Sequence, residues 1–232
     1  MAELLEVDIS KVWVIIAAYN EEEKIAGTVA DVLNCLDNVV VVDDCSTDDT
    51  LQSALHTKVH VLRHPINLGQ GAALQTGIQY AISKGCDYAV TFDGDGQHRA
   101  DEILPMLYAL KKSGADIVLG SRFLGVSLNM PWSRRLILKA AIVYTWITTG
   151  LLLSDVHNGF RIMPRSFCER FEFRQNRMSH ASEILNYIAK HKVKYIEFPV
   201  TISYTKYSIK KGQRSSNSLR VILELLMGYI TK

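Results

Sequence analysis

The chain has 232 residues, of which 48% are hydrophobic and 22% charged, so it can bury one large core and is neither a disordered nor a low-complexity polypeptide. A formal net charge of +2 does not by itself point to nucleic acid, and it excludes neither acidic substrates nor membranes. Cys35, Cys45, Cys86 and Cys168 are widely spaced and form no CxxC pair, which fits reduced thiols in a cytoplasmic protein better than a zinc site or a disulfide framework.

Residues 1–10 read as a tail; Glu3, Glu6 and Asp8 are unlike a signal peptide. Val12 to Ala18 is a β-rich run predicted as a central strand. Asn20 then reads as an N-cap, with Glu21 and Glu22 in the first turn of a helix reaching about Leu36. Asn38 to Val42 is a second buried strand, ending in Asp43 and Asp44, and Ser46 to Asp49 opens another helix. A third strand over Val59 to Arg63 leads through Asn67, Gly69 and Gly71 into a helix over Ala72 to Lys84. Tyr88 to Phe92 is a fourth strand, Ile103 to Lys112 a helix, and Asp116 to Gly120 a fifth strand. This alternation predicts βαβ units in an α/β fold, with a mostly parallel central sheet flanked by helices. Ligands of such sheets bind beyond the carboxyl ends of the strands, where Asn20, Asp43, Asp44, Asn67, Asp93, Asp95, Ser121 and Arg122 all fall.

The most informative segment follows the fourth strand: Asp93-Gly94-Asp95-Gly96-Gln97-His98. In extended chain the side-chain period of two points Asp93 and Asp95 the same way, and two like charges so placed repel unless they are solvated or share a cation. Gly94 and Gly96 open the backbone, Gln97 and His98 add neutral ligands, and a hard divalent cation that keeps positions for water and phosphate oxygens suits the group. A polar turn capping the next helix is the competing reading. Asp43 and Asp44 either hydrogen-bond a base or ribose or cap the turn after them. Gly69-Gln70-Gly71 reads as a tight turn, without the third glycine of a dinucleotide fingerprint or a Walker lysine. Leu136 to Leu153 is largely apolar, but Lys139 and several threonines interrupt it. It is expected as a helix packed on the protein or lying in a membrane interface rather than as a span.

Taken in order, Ala18-Tyr19-Asn20-Glu21, Val42-Asp43-Asp44-Cys45-Ser46-Thr47-Asp48, Asn67-Leu68-Gly69-Gln70-Gly71, Asp93-Gly94-Asp95-Gly96-Gln97-His98, Gly120-Ser121-Arg122 and Asn158-Gly159-Phe160-Arg161 resemble family-two glycosyltransferases, most of all the polyprenyl-phosphate sugar transferases of the dolichol-phosphate mannosyltransferase type. The resemblance spans residues 11–205 and implies a GT-A fold that binds a nucleotide-diphosphate sugar with Mg²⁺ or Mn²⁺. It implies donor contacts at Ala18, Tyr19, Asn20, Glu21, Asp43, Asp44, Asn67, Gly71, Asp93 and Gly94, and metal ligation by Asp95 and Gln97. It makes Asp93, Asp95, Arg122, Asp155, Arg161 and Glu183 the catalytic candidates. Arg122 and Arg161 suit phosphate, since a guanidinium matches its oxygens in a forked geometry; a structural ion pair is the alternative for each.

The acceptor class can be argued from charge. A sugar hydroxyl would need a general base, and Asp155 and Glu183 are the late carboxylates available. A lipid monophosphate, with a second pKa of about 6, arrives largely dianionic and needs cations instead. Between Glu197 and Glu224 there is no acidic residue, while Lys206, Lys210, Lys211, Arg214 and Arg220 are present. Ser121, Arg122, Lys210, Lys211 and Arg214 are therefore the acceptor-binding candidates. Residues 206–232 form this basic loop and an apolar helix, Leu219 to Ile230, that needs cover from lipid, another protein or a second copy of the chain. The reading is an inverting, metal-dependent transferase using polyprenyl phosphate, peripheral on the cytoplasmic face of a membrane and without nucleic acid. Transfer to a saccharide hydroxyl, or a non-catalytic nucleotide-sugar-binding assembly protein, are the alternatives.

Overall fold

A computed structural model describes residues 7–174, 180–205 and 207–208. Lys206, the loop bearing Lys210, Lys211 and Arg214, and the apolar segment Leu219 to Ile230 lie outside the described residues.

Seven strands form one sheet: β1 (Val12–Ala18), β2 (Val39–Asp43), β3 (His60–Arg63), β4 (Tyr88–Asp93), β5 (Ile117–Leu128), β6 (Arg161–Pro164) and β7 (Tyr195–Ser203), in the order β3-β2-β1-β4-β6-β5-β7. β1 to β4 pair parallel, β6 runs antiparallel to both β4 and β5, and β7 is parallel to β5. The helices are α1 (Ile25–Leu33), α2 (Thr50–Leu55), α3 (Gln70–Ser83), α4 (Ile103–Ser113), α5 (Trp132–Thr149), α6 (Arg165–Cys168) and α7 (His180–His191).

The layering follows from alternation along buried strands. Val12, Val14 and Ile16 of β1 pack on one side with Ile25, Val29 and Val32 of α1 and Met106 and Leu110 of α4. Trp13 and Ile15 point to the other side, against Leu74 and Ile78 of α3 and Ile184 and Ile188 of α7. Because both faces are covered, the central strands are continuous apolar runs rather than alternating ones.

Three expectations change, while the apolar segment at 136–153 is a helix, as expected, with shifted bounds. The first helix begins at Ile25, not at Asn20, and Asn20 is no N-cap. It sits in the left-handed region at φ 54°, and its Oδ1 accepts from the Thr47 backbone N–H at 2.9 Å, tying the end of β1 to the loop after β2. The fifth strand does not stop at Gly120 but continues to Leu128, because its second half pairs with β7 after a register shift. β6 and β7 themselves were not expected from the sequence. The apolar segment at 136–153 is α5, beginning at Trp132 and ended by Gly150 in the left-handed conformation at φ 73°. Among the described residues no helix is long and apolar enough to cross a membrane.

Candidate active site

The carboxyl ends of β1, β2 and β4 converge with the start of β6 around Asp93. Asp93 ends β4; its Oδ1 accepts from Gln70 Nε2 at 3.1 Å, and its Oδ2 pairs with His98 Nε2 at 3.0 Å. Gln70 begins α3, so that helix hands its first side chain to the acid. Gly159 lies against the same carboxylate so closely that a Cβ there would come 2.6 Å from Asp93 Oδ2. Thr91 fixes the glycine by donating to its carbonyl at 2.6 Å.

Asp95 lies in the turn beyond the strand, so the strand period does not orient it; its Oδ1 accepts from the Gln97 backbone N–H at 3.0 Å. Burial, and then the charge of Asp93, push its carboxyl up to about 6. The turn is pinned to β7, since Ser203 N donates to Gln97 O at 3.0 Å and His98 bridges to Ile202. Gly94 is buried, and its carbonyl accepts from Thr28 Oγ1 at 3.2 Å.

Arg161 opens β6, facing Thr91 of β4 and Leu119 of β5 in register. It is 2% exposed, and its Nη1 has no hydrogen-bond partner. Burial pushes its guanidinium down to about 10 against the opposing pull of Asp93 and then Asp155. Two more buried polar atoms of this region, His98 Nδ1 and Asn158 Nδ2, also have no partner.

Arg122 is placed differently. Its Nε donates to Asp155 Oδ2 at 2.6 Å, its Nη1 to Tyr204 Oη at 2.7 Å and its Nη2 to the His157 carbonyl. Asp155 also accepts from the backbone N–H groups of Arg122 and His157, so this pair takes the structural ion-pair arrangement. Arg122 nevertheless lines, with Arg135, Phe123 and Met130, a cavity of about 390 Å³ between β5 and α5. Ser121 is fully buried and bonded to Ser154, away from solvent.

The nucleotide-side candidates are brought together, but much of their bonding is internal. Asp43 is buried, accepts from Ser46 N and lies 3.4 Å from Arg63 Nε, which is the turn-capping arrangement. Asp44 accepts from His64 Nδ1 at 2.7 Å, Leu68 N at 2.9 Å and Gly69 N at 2.6 Å, while Asn67 donates to its carbonyl at 3.2 Å. Asp44 thus shapes the loop that starts α3, where Gly71 is buried. Ala18 is buried and accepts from Asp44 N at 2.9 Å. Tyr19 is exposed. Glu21 N donates to Thr50 Oγ1 at 2.6 Å, and Tyr207 donates to Glu21 Oε2 at 2.9 Å. That contact carries the start of the C-terminal segment over Asn20 and Glu21, and burial followed by Glu21 raises the Tyr207 hydroxyl pKa.

Glu183 stands on α7, where its carboxylate accepts from the Arg174 backbone N–H at 3.1 Å. Sequence reasoning missed Gln70, Asn158 and Gly159. The last two belong to the Asn-Gly-Phe-Arg segment, whose glycine was a signal of close approach; a lone glutamine carries none.

The glycosyl transferase family 2 model matches residues 13–171. The UDP-N-acetylglucosamine–dolichyl-phosphate N-acetylglucosaminyltransferase of Methanococcus voltae is 30% identical over 238 residues, covering 93% of this chain and 95% of that one. The dolichol-phosphate mannosyltransferase of Pyrococcus furiosus is 32% identical over 228 residues, covering 93% of this chain and 64% of that one. Glucosyl-3-phosphoglycerate synthase of Mycobacterium tuberculosis, solved with Mn²⁺, UDP-glucose and phosphoglyceric acid, superposes with a TM-score of 0.64 at 17% identity, covering 93% of this chain and 79% of that one. That likeness speaks for the fold, GT-A, and the sequence relatives speak for the chemistry. The chain belongs to glycosyl transferase family 2 and is a glycosyltransferase.

Proposed function

We propose that this enzyme moves a sugar, with inversion, from a nucleoside-diphosphate sugar to the phosphate of a polyprenyl phosphate at a membrane surface. The observation that carries the acceptor class is the Arg122–Asp155 pair. Asp155, one of two late carboxylates that a hydroxyl acceptor could use as base, is committed to a buried guanidinium and two backbone N–H groups. A phosphate acceptor does not require that proton to be removed. The names of the M. voltae and P. furiosus relatives, both acting on dolichyl phosphate, support the same reading.

Asp93 and Asp95 fit a divalent cation, because a half-buried carboxyl pushed up to about 6 by desolvation and then by its neighbour's charge gains from one. Among the described residues no group of three or more acidic, histidine or cysteine side chains forms a cage, so Asp95 and Gln97 would share the cation with diphosphate oxygens and water. When bound, it offsets charge on the departing nucleoside diphosphate. Gln70 and His98 fix Asp93 at the donor, and Asn20, Glu21 and the loop held by Asp44 frame the nucleotide. Arg161 supplies a buried positive charge beside Asp93 and Asp155. Arg135 draws the acceptor headgroup into the cavity whose wall the Arg122–Asp155 pair holds, and Lys210, Lys211 and Arg214, outside the described residues, are its further candidate contacts. An acceptor phosphate oxygen then forms a bond to the sugar's anomeric carbon as the bond to the diphosphate breaks on the opposite face. The electron pair leaves with the nucleoside diphosphate.

The test is transfer of labelled sugar from uridine- and guanosine-diphosphate donors to polyprenyl phosphate or an oligosaccharide, with Mg²⁺ or Mn²⁺ and with chelator. Label should enter the lipid fraction with polyprenyl phosphate and a divalent ion. Label entering the oligosaccharide alone would overturn the acceptor assignment.

A further inference from the structure

The loop between α5 and β6 connects the two ends of the site within a few residues. Asp155 stands at one end of it, paired with Arg122, and Gly159 at the other, against the Asp93 carboxylate. His157 lies halfway between them in the sequence. Its N–H donates to Asp155 Oδ1 at 3.2 Å, its carbonyl accepts from Arg122 Nη2, and beyond it Asn158 Oδ1 accepts from the Phe160 N–H at 3.0 Å. The bonds that fix His157 are thus made by its backbone, which leaves the ring to be used from outside. Asp155, Val156 and Asn158 are 3%, 4% and 5% exposed, whereas His157 is exposed. The neighbours turn inward, and the loop offers the imidazole to the open side.

Charge says what that ring can bind. Water reaches it, yet protein surrounds it, so it stands in a recess rather than on a bulge. Burial pushes the imidazole below its usual pKa against the pull of Asp155, and the guanidinium groups of Arg122, Arg161 and Arg134 push it further down. Near pH 7 the ring is therefore neutral, with one nitrogen that donates and one that accepts. An ionised phosphate offers acceptors alone and is better matched by the guanidinium groups. A hydroxyl both donates and accepts, which is the complement of a neutral imidazole. Among the described residues, those lining the cavity between β5 and α5 do not include His157, so the ring stands apart from the headgroup pocket. What must lie between a donor phosphate at the Asp93 end and an acceptor phosphate in the cavity walled by Arg122 is the sugar itself.

We infer that His157 is a specificity-determining residue, its imidazole exchanging hydrogen bonds with a ring hydroxyl of the sugar in transit. The inference rests on the proposed donor and acceptor ends of the site and adds which side chain reads the sugar between them. His157 contacts neither the nucleotide nor the acceptor phosphate. Its loss changes which sugar is chosen and leaves both phosphates bound.

The test sets donors that differ at one ring carbon against each other in one vessel. Uridine-diphosphate glucose competes with the galactose and the N-acetylglucosamine forms, and guanosine-diphosphate mannose with the glucose form. Within the pair that wild type uses, the ratio of kcat/KM values reads the sugar alone, because base and diphosphate are shared. His157→Ala should keep the melting temperature, the Kd of the nucleoside diphosphate and the KM of the acceptor. It should lower the ratio about tenfold, the worth of one good hydrogen bond. His157→Gln, which keeps a donor and an acceptor, should recover much of the ratio. Should His157→Ala fail to fold, the ratio is read on His157→Phe, which keeps a ring and removes both nitrogens. An unchanged ratio in every pair would overturn the proposal. So would a raised acceptor KM with the ratio unchanged, which would make His157 a phosphate contact. The ratio is read from donor hydrolysis as well as from transfer. An enzyme that spares polyprenyl phosphate yet loses its sugar preference in His157→Ala would remove the acceptor reading and keep the role of His157.

Discussion

A single oxygen of Asp155, Oδ2, holds Arg122 twice, accepting from its backbone N–H at 3.0 Å and from its Nε at 2.6 Å. Both side chains are nearly excluded from solvent, at 5% and 1% exposure. Breaking such a pair leaves one uncompensated charge in the interior. Asp155→Asn should therefore cost about 3 kcal/mol of unfolding free energy, read by denaturant titration. A variant of wild-type stability that had lost only turnover would mark Asp155 as a catalytic base instead.

Gly159 tests the acid at the end of β4. A methyl group there would stand 2.6 Å from Asp93 Oδ2, so the carboxylate must rotate away from Gln70 and His98. Overpacking of this kind costs about 1–3 kcal/mol. Gly159→Ala should fold with that modest loss and bind the nucleoside diphosphate much more weakly by calorimetry. Unchanged affinity would show that the position of Asp93 does not matter to the donor.

Asp95 gives a pH dependence with a definite sign. Its carboxyl is raised from 3.8 to about 6 in the fold, so in metal-free protein its ionisation opposes folding. Its stabilising contribution is fully present below pH 3.8 and lost as the pH rises through about 6. Asp95→Asn should melt higher than wild type at pH 7.5 in chelator, and the gap should close as the pH falls below about 6 and toward 4. Added Mn²⁺ should raise the wild-type melting temperature at pH 7.5 and leave the variant's unchanged. An equal response of both proteins to Mn²⁺ would remove Asp95 from the cation site.

Glu183 separates the two acceptor classes. If it were the base for a hydroxyl, Glu183→Gln would lose about 10²–10⁴-fold in rate. With polyprenyl phosphate the variant should keep most of its turnover. A loss of that full size, with folding and donor binding intact, would favour the hydroxyl acceptor.

Much of this architecture is legible in the sequence where burial is two-sided. The Val-rich run of β2 and the Val12–Ala18 run of β1 have both faces covered, and such strands advertise themselves as continuous apolar runs. β6 does not, being four residues that begin with a buried arginine, and β7 is only partly buried over its first half. Helix α1 reads as starting four residues earlier because Glu21 to Lys24 has helical composition. The Asn20 turn and the Glu21 N–H bond to Thr50 divert that stretch from the helix. In the site, the Asp-Gly-Asp-Gly pattern displayed Asp93 and Asp95, whereas Gln70 reaches Asp93 only because α3 is brought alongside β4 by the tertiary fold. Arg122 and Arg161 were alike in sequence as phosphate candidates. The fold separates them, giving Arg122 a carboxylate, a tyrosine and a carbonyl while leaving Arg161 Nη1 unbonded.

The central claim is that the acceptor atom is a phosphate oxygen, and ³¹P NMR of the reaction reads that atom directly. With a nucleoside-diphosphate sugar, a divalent cation and a polyprenyl phosphate, the acceptor's phosphomonoester resonance should be replaced by a phosphodiester resonance as the nucleoside diphosphate appears. A phosphomonoester signal that persists while nucleoside diphosphate accumulates and the sugar is recovered on a hydroxyl group would contradict the account.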